Sequence, residues 1–141
     1  MQFAQENDLY LVKLNDGEDL LESLKQLASS SEAKCFAILC GVGMLREVKL
    51  GYFVGDGKYD ITEFKEPMEL ISLQGNLVRK EDGEFVVHAH VALADKAKNL
   101  HGGHLVRGIV HNTNEIILKA FRSIEAIRKR DPKSGLLALC L

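Results

Sequence analysis

Four of the chain's five histidines lie in the stretch "HAHVALADKAKNLHGGHL", which begins at His88. His88 and His90 are one residue apart in an alternating run. On a β-strand they project from the same face, with Cα atoms ~6.5–7 Å apart. Two imidazoles so placed can converge on one ion at about 2.0–2.1 Å from each nitrogen. A third ligand must come from elsewhere, and His104 is the best candidate, because Gly102-Gly103 before it lets the backbone turn and approach closely. Three neutral imidazoles with one open position describe a catalytic type of zinc site, which lowers the pKa of bound water and polarises a carbonyl or phosphoryl oxygen. Residue type alone leaves nickel, iron or copper open as the divalent transition metal. Glu69 and Glu115 are positional candidates for a fourth ligand or general base, with ordinary cross-strand ion pairs as the preferred explanation of each. His101 and His111 read as bystanders. A solvated strand can also carry His-x-His without a metal, so the spacing sets a hypothesis to be tested by geometry.

The elements around these residues must hold them. "FVVHAHVALA" alternates cleanly: Phe85, Val87, Ala89, Val91 and Leu93 form an apolar face, leaving His88 and His90 on the other. "DKAKNLHGG" reads as a nine-residue connection, after which "HLVRGIVH" returns as a strand that brings His104 near His90. "NEIILKAF", "EAIRKR" and "LLALCL" read as further short strands. Upstream, Leu20, Leu21, Leu24, Leu27 and Ala28 lie on one helical face, with Asp16, Glu18 and Asp19 before it and Ser29–Ser31 closing it. "KCFAILCGVGML" reads as a buried strand running into a glycine turn, followed by a separate strand "REVKLGYFV" and a hairpin at Asp56-Gly57. One main N-terminal helix and eight to ten short, closely linked strands predict an α+β fold with a mostly antiparallel sheet, as a single domain over residues 1–141.

With 141 residues and 46% hydrophobic content, the chain can build a core without staples. Its cysteines, Cys35, Cys40 and Cys140, are odd in number and lack metal-type spacing, which fits a reducing cytoplasm. No apolar run reaches the ~18 residues of a membrane span, and no secretory signal pattern opens the chain. The net charge of −2 does not advertise nucleic-acid binding. The charge is uneven, however. The last third is basic, and its run Arg128-Lys129-Arg130 is the candidate DNA-contacting segment, with a solvated hairpin arm as the plainer explanation.

The block "HAHVALADKAKNLHGGHLVRGIVHNTNEIIL" resembles the signature of the plants-and-prokaryotes-conserved (PPC) domain family. There a His-x-His strand, a Gly-Gly-His-Leu segment and a Thr-x-Glu strand follow in this order, here His88–His90, Gly102–Leu105 and Thr113–Glu115. "GEDLLESLKQLA", "GVGMLREVKLGYF", "EPMELISLQGN" and "RKRDPKSGLLAL" extend the likeness over nearly the whole chain. The resemblance implies a homotrimer, a DNA-binding or regulatory role, and in some prokaryotic members a metal on the matching histidines His88, His90 and His104. No Arg-Gly-Arg-Pro hook of the plant members occurs. Two classes of function therefore stand open: a DNA-binding or regulatory protein with a three-histidine zinc site, and an enzyme using the open position of that site on a small molecule.

Overall fold

The computed structural model describes residues 1–141. In chain order the elements are β1 (Gln2–Glu6), β2 (Leu9–Asn15), α1 (Leu20–Ser29), β3 (Cys35–Gly55), β4 (Lys58–Phe64), β5 (Met68–Lys80), β6 (Phe85–Ala94), β7 (Leu100–Phe121), β8 (Ile127–Arg130) and β9 (Leu137–Cys140). The chain is thus largely β-sheet with one short helix. All nine strands join one sheet of order β1-β2-β7-β3-β5-β8-β9, with β4 added to β3 and β6 bridging β5 and β7. Because β6 pairs with both β5 and β7, the strands β3, β5, β6 and β7 close a ring of hydrogen bonds. Every pairing is antiparallel except the short β5–β8 contact.

Helix α1 forms where the apolar stripe lies. Leu20, Leu24, Leu27 and Ala28 are buried, and Asp19 caps the first turn by accepting from the Glu22 N–H at 3.1 Å. It stops where the Ser30 and Ser31 hydroxyls donate to the carbonyls of Leu27 and Ala28, serving acceptors that lack a helical partner.

Two strands are far longer than the sequence pattern suggests. β3 runs through the expected glycine turn without bending back. A Cβ on Gly41 would lie 2.9 Å from Leu73 Cδ2, so this glycine admits a neighbouring core side chain instead of turning the chain. β7 merges "HLVRGIVH" and "NEIILKAF", and register shifts along its pairing with β3 let both strands bend together. The expected nine-residue connection shrinks to residues 95–99, because Asp95 Oδ1 accepts from the N–H groups of Ala97 and Asn99 and ties a compact turn. β1 is an addition: "QFAQE" is exposed throughout and shows no apolar alternation.

The core is built from Phe36, Leu73, Leu77, Leu93, Leu105, Ile116 and Leu118 with the helix leucines. Leu73→Ala, at a fully buried position on β5, is expected to lower stability by about 2–5 kcal/mol in urea unfolding. A loss below ~1 kcal/mol would contradict this packing. The opposite face of β2, β7 and β3 is apolar and exposed, carrying Leu11, Ile117 and Val42. No helix is long and apolar enough to cross a membrane.

Candidate metal centre

β6 keeps the expected alternation. Val87, Ala89 and Val91 point into the core, His88 is half-buried and His90 is exposed on the outer face. β7 lies antiparallel to β6 with His104 directly opposite His90, and Gly102 and Gly103 opposite Ala92 and Val91. A Cβ on Gly102 would lie 2.9 Å from the Val91 carbonyl, so the pair permits close approach as the sequence suggests. Ligating nitrogens of His88, His90 and His104 lie within 4.8 Å of one another, and no carboxylate or thiol of the chain joins the group. Ring centroids are 5.2–5.5 Å apart.

Glu69 and Glu115 lie elsewhere on the sheet, opposite Ala94 and Lys13. His101 turns to the other face of β7, where its Nε2 meets Asp95 Oδ2 at 3.1 Å and its ring packs on Phe64. That contact and the Asn99 donors hold the Asp95 carboxyl down to about 2. His111 sits beside Arg46, 3.0 Å from its guanidinium.

Three further residues frame the cluster; Tyr59 and Asn76 did not stand out in the sequence, and Arg128 stood out only as part of the candidate DNA-contacting run. Tyr59 of β4 stacks on His104 with centroids 4.8 Å apart. Asn76 lies opposite His88 in the β5–β6 ladder. Arg128 has its side chain turned inward at 6% exposure, donating to Leu137 O and Asn76 Oδ1, both at 2.7 Å, and to His88 Nδ1 at 3.2 Å. The basic run is therefore divided. Lys129 and Arg130 stay at the surface, where Lys129 pairs with Glu81 and Arg130 donates to Gly135 O.

The electrostatics at His104 and His88 favour neutral imidazoles. Burial holds the His104 ring down to about 4, helped by the charges of His88, His90 and Arg128. His88 is lowered too, first by burial, then by Arg128 and His90. His104 Nδ1 is buried with no hydrogen-bond partner. A neutral nitrogen without a partner, in a group of three, fits a divalent transition metal. The native state binds fewer protons than the unfolded chain between the ordinary histidine pKa of 6.5 and about 4. Metal-free protein should therefore lose the His104 contribution to stability as pH falls through that window and keep it above 6.5. Ring-resonance NMR should show His104 titrating near pH 4, and a midpoint near 6.5 would refute the burial argument.

The Plants and Prokaryotes Conserved (PCC) domain model matches residues 1–122. The chain belongs to this family. As a PCC domain it is similar to a plant- and prokaryote-conserved protein of Pyrococcus horikoshii, at 34% identity, 99% coverage of this chain and 96% of that one, and TM-score 0.86. A protein of Archaeoglobus fulgidus described as metal-containing shares 25% identity over 100% of this chain and 99% of its own, with TM-score 0.86. One of Ralstonia eutropha JMP134, described as a candidate DNA-binding protein, shares 25% over 99% and 95%, with TM-score 0.88. The chain also spans about a fifth of the length of the curated relatives it matches, the bifunctional GlmU proteins of two Synechococcus strains. One is 31% identical over 132 residues, 93% of this chain and 20% of its own. Strands β8 and β9, with Arg128, lie beyond the residues matched by the family model.

Proposed function

We propose that this PCC domain binds one divalent transition metal, zinc by donor type, through His88, His90 and His104. The observation that carries this reading is the convergence of three imidazoles from two paired strands, one with a buried, partnerless nitrogen. A divalent ion on three neutral imidazoles supplies Lewis acidity and an activated water at its open position. The chain's own contribution is orientation: Tyr59 fixes the His104 ring by stacking, and Asn76 and Arg128 hold the His88 side of the site. The description of the Archaeoglobus relative as metal-containing supports the assignment. Metal analysis of protein purified without chelators tests it, and metal-free protein that takes up no zinc would end it.

The reading extends to a cytoplasmic homotrimer in which residues 1–141 form one domain. The exposed apolar face of Leu11, Ile117 and Val42 supports assembly, since neighbouring copies would cover it. The three free cysteines suit a reducing compartment. Light scattering tests the assembly, and a monomer at micromolar concentration counts against it.

A second reading, binding to duplex DNA, draws on the Ralstonia relative's description and on the exposed Lys129 and Arg130. It predicts affinity that falls steeply with salt. No binding at ~50 mM salt would remove it. The small-molecule enzyme reading needs the metal first, and its substrate class is taken up next.

A further inference from the structure

Arg128 is a guanidinium in an unusual setting. It is 6% exposed, and no carboxylate lies within ion-pair distance of it. Its acceptors are a carbonyl, an amide oxygen and the His88 ring, all formally neutral. Its Nε–H is buried and has no acceptor at all. A buried charge is ordinarily paired, because the interior replaces the solvation it gives up only through a counter-charge or a full set of hydrogen bonds. Here both are incomplete.

The three-histidine cluster beside it deepens the imbalance. It brings no negative charge of its own, and a divalent cation there would add two positive charges next to the guanidinium. Arg128 Nη2 also rests on His88 Nδ1, so metal and guanidinium make competing demands on one ring. An anion between them would relieve both conflicts. Nε and Nη2 form one edge of the guanidinium, and two parallel N–H groups match two oxygens of a carboxylate or phosphate. Such a group would take the idle Nε–H and draw Nη2 away from His88.

We propose that the three-histidine centre takes an oxyanion, a carboxylate or phosphate group, at its open position, and that Arg128 receives it. This rests on the metal reading above and names the ligand class of that site. β8 delivers Arg128 through its parallel pairing with β5, which sets Lys80 beside Arg128. The residue stands on β8, in the C-terminal arm of the chain.

The test uses cobalt-loaded protein, whose visible absorption reports the fourth ligand. Wild-type protein is titrated with acetate in one arm and inorganic phosphate in the other. The expected result is a saturable spectral change in at least one arm, which also tells the two ligand chemistries apart. Arg128→Lys keeps the charge but not the fork, and should weaken that binding about tenfold or more when both proteins are compared at saturating cobalt. Asn76→Asp sets a carboxylate against the guanidinium at the position where Asn76 Oδ1 now accepts. In protein saturated with cobalt it should abolish the response to added anion, and it keeps the test decisive if Arg128→Lys does not fold. Cobalt bound without any anion response overturns the proposal and leaves the metal site standing. An unchanged response in the folded variants overturns the role of Arg128. Failure of wild-type protein to bind cobalt overturns the metal reading, and this proposal with it.

Discussion

Alanine at both His90 and His104 is expected to abolish metal retention while the protein stays folded. The first residue is exposed and the second half-exposed, so neither supports the core. Loss of the His104 stacking on Tyr59 should cost about 0.5–1.5 kcal/mol. The effect on metal is much larger. Loss of an outer-shell partner alone lowers metal affinity about 10–100-fold, and removing two of three direct ligands leaves no chelate. Wild-type protein at 100-fold zinc excess over Kd should gain about 2.7 kcal/mol of stability, while the double variant gains nothing. Elemental analysis and thermal unfolding with and without zinc read the two effects separately. Stoichiometric metal in the double variant would move the site elsewhere.

Gly75→Ala is expected to damage fold and site together. Gly75 lies on β5 opposite Ala89, between the ladder partners of His88 and His90. A Cβ there would sit 2.0 Å from the His88 carbonyl oxygen and 2.8 Å from Ala89 Cα. These are backbone atoms, which no rotamer change can move aside, so β5 and β6 must separate. A cost of about 3 kcal/mol or more follows from overpacking, and zinc affinity should fall as His88 shifts. Gly83→Ala is the matched comparison. Gly83 also has positive φ, +87°, but nothing lies within 4 Å of its Cβ position, so only the backbone penalty of about 1–2 kcal/mol applies and metal binding is untouched. Equal losses in the two variants would show that the β5–β6 approach is not the cause.

The histidine cluster was legible because strand periodicity is local. Five alternating apolar residues from Phe85 to Leu93 put His88 and His90 on one face without any knowledge of the sheet. His104 followed from a hairpin between neighbouring strands, again a short-range inference. What escaped depends on partners far along the chain. β3 and β7 read as fragments, because glycines and register shifts interrupt their alternation while long-range pairing carries them through. β1 has no apolar face, so only its ladder with β2 makes it a strand. Nothing local shows that Arg128 turns inward while Lys129 and Arg130 stay at the surface. That follows from β8 joining β5, about fifty residues upstream. Tyr59 sits on a mostly exposed strand and gains its place only by stacking on His104.

The pairing of β2 with β7 sets a timetable for the growing chain. Tyr10 lies opposite Leu118, and the Asp8 carbonyl accepts from the Ala120 N–H, so the first strands find their places only beside nearly the last part of the sheet. At about 5–20 residues added per second, the N-terminal strands wait several seconds for that partner. Until then β2 and β3 carry apolar side chains with no completed sheet to cover them. Pairings this distant along the chain also belong to topologies that fold in milliseconds to seconds. The vulnerable period of this molecule is therefore its synthesis, and crowding or heat during translation should harm its yield more than the same stress applied once β7 has docked.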